Sequence, residues 1–195
     1  MNIYGLTGGI ASGKSAASEH FRALGIPVID SDALAHTLIE PEASAFQPVV
    51  DALGTNILTD GRIDRAKLGA LAFKDNEVLE TLNRLVHPAV HAESARLCAE
   101  FNAQGHSVVV IEAALHAEDG TLREGLDGLI VVNCPEEIRL NRMLKQRGMP
   151  YADAIQRIES QTPPEKKLPL ARWIIHNDKS LVELHQQVEA IVEEF

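Results

Sequence analysis

The eight residues Gly8-Gly9-Ile10-Ala11-Ser12-Gly13-Lys14-Ser15 match G-x-x-x-x-G-K-[ST], the pattern of a phosphate-cradling P-loop. In such a loop the backbone N–H groups turn inward and form a nest for phosphate oxygens. A helix starting near Lys14 adds the positive end of its dipole. Gly8 and Gly13 let the chain turn tightly and approach a ligand closely. Lys14 brings a mobile positive charge to the outer phosphates, and the Ser15 hydroxyl can ligate Mg²⁺.

A second constellation is Asp30-Ser31-Asp32, which ends the second apolar run of the chain. In an open parallel sheet that is the edge from which the loop emerges. One carboxylate there can accept the proton of an attacking hydroxyl while the other orders Mg²⁺. Asp30 or Ser31 can also cap a helix over 33–39, and the two roles are compatible. A third feature is charge. Between Arg139 and Arg172 there are eight basic and three acidic residues, in a chain whose formal net charge is -10. The segment suits a local polyanion such as a nucleoside triphosphate, or a solvated helix of mixed charge. The overall acidity argues against a general nucleic-acid binder.

His87 and His91 are spaced i, i+4, but no third ligand is evident and Pro88 separates them, so a metal site is set aside. Arg84, His87 and His91 could meet a substrate phosphate, or the histidines could simply end a helix. Cys98 and Cys134 are far apart and read as buried free thiols. Residues 7–15 are too polar for a signal-peptide core, and no apolar run approaches the ~18 residues of a membrane span. A cytoplasmic enzyme without a membrane or nucleic-acid partner is expected.

The elements that must position these residues are legible from periodicity. Residues 2–7 form an apolar run before the loop, and a helix over 16–24 follows it and stops at Gly25. Further strand-like runs lie at 25–29, 107–111, 128–132 and 172–175. Apolar runs separated by helices predict a five-stranded parallel sheet covered on both faces. Helical spacing at 49–53, 66–73, 77–82 and 89–103, the last with Pro88 at its first position, exceeds a normal crossover. It predicts a helical insertion over the carboxyl edge of the sheet, on the substrate side. A helix over 136–146, between Pro135 and Gly148, and another over 151–161 carry the basic segment and resemble the lid of a small-molecule kinase. Leu181, Leu184, Val188, Ile191 and Val192 mark a final packing helix. The expected architecture is a three-layer α/β P-loop kinase fold forming a single unit over 1–195. Its core is 1–39, 106–135 and 169–195, with the insertion at 40–105 and the lid at 136–168.

A P-loop alone does not separate kinases from GTPases or mechanical ATPases. The guanine-reading N-K-x-D pattern is missing, and the length leaves no room for a motor's relay elements. A phosphotransferase to a small molecule is favoured, with a nucleotide-binding switch as the rival of another class.

The motifs together resemble the dephospho-coenzyme A kinase family. Residues 6–15, L-T-G-G-I-A-S-G-K-S, and 28–32, V-I-D-S-D, are similar to its L-T-G-G-I-G-S-G-K-S and V-I-D-A-D. Glu40-Pro41, 60–65, 82–88, 112–118, the lid segment with Arg142, Arg147 and 157–161, and 175–177 resemble further family segments, so the likeness spans nearly the whole chain. The resemblance implies that ATP phosphorylates the ribose 3′-hydroxyl of dephospho-coenzyme A, with Mg²⁺. It implies Asp32 as general base, with Lys14 and Arg142 carrying charge in the transition state. ATP would be held by Gly8, Gly9, Ala11, Ser12, Gly13, Lys14, Ser15, Ala16, Arg142, Arg147 and Asn177, the last near the adenine. The acceptor would meet Asp32, Arg65, His87, Leu115 and Glu118, and the metal Ser15 and Asp30. A monomer or weak homo-oligomer is expected.

Three residues depart from the family pattern. Ala11 replaces a glycine, which suits only a negative φ. Ala16 lacks the hydroxyl many such loops carry. His36 stands where relatives usually have Arg, so that contact is weaker or made elsewhere.

Overall fold

A computed structural model describes residues 1–114, 116–117 and 120–195. The chain runs β1 (Asn2–Gly8), α1 (Lys14–Ala23), β2 (Val28–Asp30), α2 (Ser31–Leu38), α3 (Phe46–Leu53), β3 (Leu58–Thr59) and β4 (Arg62–Ile63). It continues through α4 (Arg65–Lys74), α5 (Asn76–Ala103), β5 (Val108–Glu112), β6 (Gly128–Asn133) and α6 (Glu136–Arg147). It ends with α7 (Tyr151–Glu159), α8 (Pro164–Lys167), β7 (Trp173–His176) and α9 (Leu181–Val192). Two compact units result: Met1–Ile29 with Phe101–Phe195, and Asp30–Glu100.

The first unit carries a five-stranded parallel sheet in the order β2-β5-β1-β6-β7. Leu6 pairs with Glu112 of β5, and Gly8 with Val132 of β6, so β1 lies between them. The chain leaves β1 toward one edge and later crosses to the other side. That reversal opens a crevice at the carboxyl end of β1, the place where open α/β sheets bind ligands. The loop 8–15 sits there because it directly follows β1.

The β-branched runs stay extended because both sheet faces are covered. On one face Leu6, Val110 and Ile130 meet Phe21 of α1 and Leu184 and Val188 of α9. On the other, Leu129 and Val131 pack with Ala117, Leu168 and Leu170. Fully burying each large aliphatic or aromatic side chain favours folding by about 1.5–3 kcal/mol. The α9 start is held by a capping box in which Ser180 and Glu183 satisfy each other's backbone.

The α6–α7 hairpin forms over the basic segment as its punctuation indicates. Gly148 closes α6 at φ 61, a left-handed conformation that suits glycine. Met143, Ala154 and Ile158 form the hairpin's own core, and Ile10 and Ala11 of the loop pack against it.

The second unit has its own core of Ile39, Val49, Ile57, Leu68, Val86 and Val90. Asp64 caps α4 by accepting the Ala66 and Lys67 N–H groups. Here one expectation fails. The helices expected at 77–82 and 89–103 are one continuous helix, Asn76–Ala103, with Pro88 inside it rather than at a start. A proline inside a helix is less favourable than alanine by about 3 kcal/mol. Val86 and Val90, buried on either side of Pro88, hold both halves on the same core and outweigh that local preference.

Candidate active site

The phosphate loop is built by close approaches that only glycine allows. A Cβ on Gly8 would come within 2.6 Å of the Val132 carbonyl oxygen and 2.7 Å of Ser12 Oγ. Gly13 has φ 99 and caps α1, and a Cβ there would collide with Asn177 Nδ2. Lys14 Nζ donates to Gly8 O at 2.9 Å, so the lysine bridges the two ends of its own loop. Ser15 is exposed in the first turn of α1.

Three distant side chains grip the loop. Asn177, buried at the end of β7, donates from Nδ2 to Ser12 O at 2.7 Å. Arg142 of α6 donates from Nη1 to Ala11 O at 3.2 Å and from Nη2 to Asn177 O and Oδ1 at 3.2 and 3.3 Å. Gln161 accepts the Ile10 N–H through Oε1 at 2.6 Å. Arg142 and Asn177 occupy the carbonyls of Ala11 and Ser12, while Gln161 takes the N–H of Ile10. Arg142 is thus a brace of the loop as well as a charge beside it. Asn177 is committed to the loop backbone, a role that its position at a strand end alone did not suggest.

Ala11 corrects an expectation. Its φ is 57, in the left-handed region, where a negative value was required for alanine to fit well. The conformation costs an L-residue about 1–2 kcal/mol. The Ala11 carbonyl accepts from Arg142, and Ile10 and Ala11 pack on the α6–α7 hairpin, contacts that offset this cost.

A cavity of about 300 Å³ opens beside the helix end of the loop, lined by Gly13, Lys14, Ala16, Arg142, Arg147 and Asn177. Gly9, Ala11, Ser12 and Ser15 line it as well, so every expected ATP contact except Gly8 borders this one space. Gly8 borders a second cavity of about 210 Å³ on the strand side of the loop. Cys134, beside Arg142, is pushed up in pKa by burial, against the pull of Arg142 and Arg139, so it remains an inert thiol. Glu112 ends β5, is buried, and accepts from Ser18 Oγ at 2.5 Å. Among the described residues no group of three or more His, Cys, Asp or Glu is arranged to hold a metal. The exposed Ser15 hydroxyl at the loop is a hard oxygen donor of the kind Mg²⁺ takes together with phosphates and water.

In the second unit, Asp30 Oδ1 accepts the Ala33 N–H at 2.9 Å, which makes Asp30 the cap of α2. Asp32 is exposed in the first turn of that helix. Arg65 and Arg62 both meet Glu40, at 3.5 and 2.7 Å, and Arg62 holds the Glu40 carboxyl below its usual range. His87 and His91 stack with ring centroids 6.4 Å apart. His36 is exposed. The expected acceptor contacts Leu115 and Glu118 lie outside the described residues. Gln161 and the brace made by Arg142 and Asn177 escaped the sequence reading because their partners lie 131 to 165 positions away. The one usable signal was the proximity of each residue to the end of a predicted helix or strand.

No helix among the described residues is long and apolar enough to cross a membrane. The sequence pattern of the dephospho-CoA kinase family matches residues 2–183. A dephospho-CoA kinase from Carboxydothermus hydrogenoformans is 39% identical over 100% of this chain and 95% of its own. One from Lactobacillus johnsonii is 36% identical over 97% of this chain and 96% of its own. Among solved structures, a Thermus thermophilus protein with 33% identity superposes with a TM-score of 0.81 over 100% of this chain and 97% of the other. Shikimate kinase from Acinetobacter baumannii, at 13% identity and a TM-score of 0.56 over 100% of this chain and 94% of its own, shares the P-loop kinase fold alone. With a braced P-loop at the switch point of its sheet and likeness along its whole length, the chain belongs to the dephospho-CoA kinase family.

Proposed function

We propose that this protein transfers the γ-phosphoryl group of ATP to the ribose 3′-hydroxyl of dephospho-coenzyme A, giving coenzyme A and ADP. This is the last step of coenzyme A biosynthesis. The observation that carries phosphoryl transfer is the loop itself, with carbonyls held by Arg142 and Asn177 and Lys14 at its mouth. Membership of the family carries the acceptor.

Phosphoryl transfer asks for positioning and charge stabilisation more than for covalent chemistry. The loop N–H groups and Lys14 hold the phosphates in line and take up charge that moves onto the bridging oxygen. The ribose 3′-oxygen forms a bond to the γ-phosphorus, the bond to the bridging oxygen breaks, and ADP leaves. Asp32 takes the hydroxyl proton as general base, the role its place in the family pattern gives it. Ser15, with the second oxygen of Asp30, would hold Mg²⁺, which when bound neutralises charge shared between the β- and γ-phosphates.

In this reading residues 40–105, with Arg65 and His87, serve the acceptor together with Leu115 and Glu118. Residues 136–168 act as a lid, with Arg142 and Arg147 over the nucleotide and Asn177 beneath it. The setting is cytoplasmic, with no nucleic-acid or membrane partner, and the working form is a monomer or weak homo-oligomer. An ADP-release assay across acceptors tests the proposal. Turnover dependent on dephospho-coenzyme A is expected. Turnover only with nucleosides, or slow hydrolysis indifferent to any acceptor, would replace it.

A further inference from the structure

The loop has a second flank that the mechanism above leaves unused. The cavity on its strand side is bordered by Gly8, Gly9, Ser12, Arg139, Gln161 and Lys167. Arg139, on α6, is only 5% exposed, and its Nε is buried with no hydrogen-bond partner. Among the described residues no carboxylate lies within ion-pair distance of it. Its Nη1 sits so close to Gly9 that a Cβ on that glycine would collide with it. Ser12 Oγ, on the same cavity, is also buried without a partner. Lys167 is 3% exposed and donates to Ala114 O at 3.1 Å. Glu136, Glu159 and Glu165 also border the cavity, but all three are exposed, so its carboxylates are at the rim and its cations inside.

A buried guanidinium without a carboxylate destabilises the folded protein. Such an arrangement is self-consistent when an anion completes it, and guanidinium geometry matches phosphate oxygens. The two cavities flank the loop and share Gly9 and Ser12. Arg142 and Arg147 border the helix end, where the inner phosphates and nucleoside belong. Gly8, at the strand end of the loop, borders the other cavity only, where Arg139 and Lys167 lie.

We propose that Arg139 binds the γ-phosphoryl oxygens from the strand side of the loop, opposite Arg142, with the Ser12 hydroxyl as an accessory donor. The inference rests on the kinase reading but can be tested without the acceptor. The experiment compares ADP with the β,γ-imido analogue of ATP by titration calorimetry in Mg²⁺, for the wild type, Arg139→Met, Arg139→Gln and Arg139→Lys. Loss of a charge-assisted phosphate contact should lower affinity for the imido analogue ~10- to 100-fold in the Met and Gln variants and leave ADP unchanged. Lys should restore part of the preference. The melting temperature of the nucleotide-free Met variant should rise, because an uncompensated buried charge is gone, and a merely structural arginine would give the opposite shift.

Equal weakening of both nucleotides would overturn the proposal, as would unchanged binding of both. Weakening confined to dephospho-coenzyme A, titrated in parallel, would assign Arg139 to the acceptor's diphosphate and overturn it too. If the wild type fails to turn over dephospho-coenzyme A yet Arg139→Met loses the triphosphate preference, the acceptor reading falls and Arg139 stands.

Discussion

Asn177→Ala tests whether the loop is held open by its braces. The substitution removes the 2.7 Å hydrogen bond to Ser12 O and the 3.3 Å contact from Arg142 Nη2 to Oδ1. Neither partner is orphaned. Ser12 O still accepts from Arg142 Nη1 at 3.4 Å, and Arg142 Nη2 still reaches Asn177 O at 3.2 Å. The penalty is therefore near that of one or two ordinary hydrogen bonds, about 1–2 kcal/mol, without the larger charge for a stranded polar group. In the free protein the released loop relaxes and recovers part of this. Binding nucleotide restores the cradle geometry and with it the full penalty. Stability to urea without nucleotide should fall by about 0.5–1 kcal/mol, and the remainder should appear as a ~3- to 10-fold higher Kd for ADP. Unfolding with and without saturating ADP, together with direct titration, measures both parts. An equal loss in the two conditions with unchanged Kd would refute the reasoning, since Asn177 would then stabilise the fold without shaping the loop.

Three further outcomes are expected. Lys14→Ala should lower kcat by about 10² or more, and Asp32→Asn should lower kcat while leaving ATP binding in place, both read in the ADP-release assay. Pro88→Ala should stabilise the protein to urea by about 1–3 kcal/mol, because Pro88 is exposed inside a continuous helix; unchanged or lower stability would mean the ring has a role there. His116 is buried, and burial lowers its pKa to about 4, against the opposing hydrogen bond from its ring to Ile111 O. The unfolded chain then binds the extra proton first, so stability is full above about pH 6.5 and falls as pH drops toward 4. The loss is ~3 kcal/mol in size, and thermal unfolding across that range should show it in the wild type and much less in His116→Gln.

Much of the first unit was legible because its signals are local. The P-loop follows an apolar run and opens a helix, and each expected strand of the sheet appears within a residue or two of its place, apart from a later start for β2. Breakers were local too, as at Pro135 and Gly148. Pro88 misled because a proline reads as a helix start when only neighbouring residues are weighed. The second unit's core supplies the packing that carries α5 past it. At Ala11 the glycine of the resembled pattern already marked a left-handed φ, and here the alanine adopts it. At the site, the residue types of the loop pointed to phosphate chemistry, and Asp30 caps α2 as its type allowed. The braces were invisible because a hydrogen bond between Gln161 and Ile10 leaves no trace in spacing.

This chain moves a phosphoryl group from ATP to one hydroxyl of dephospho-coenzyme A. A single-turnover reaction with γ-labelled ATP, excess enzyme and dephospho-coenzyme A tests it most directly, with products separated and the label located. The label is expected in coenzyme A as the ribose 3′-phosphate, in step with ADP formation, and Asp32→Asn should suppress the transfer. Label released as inorganic phosphate at the same rate with or without dephospho-coenzyme A would contradict it.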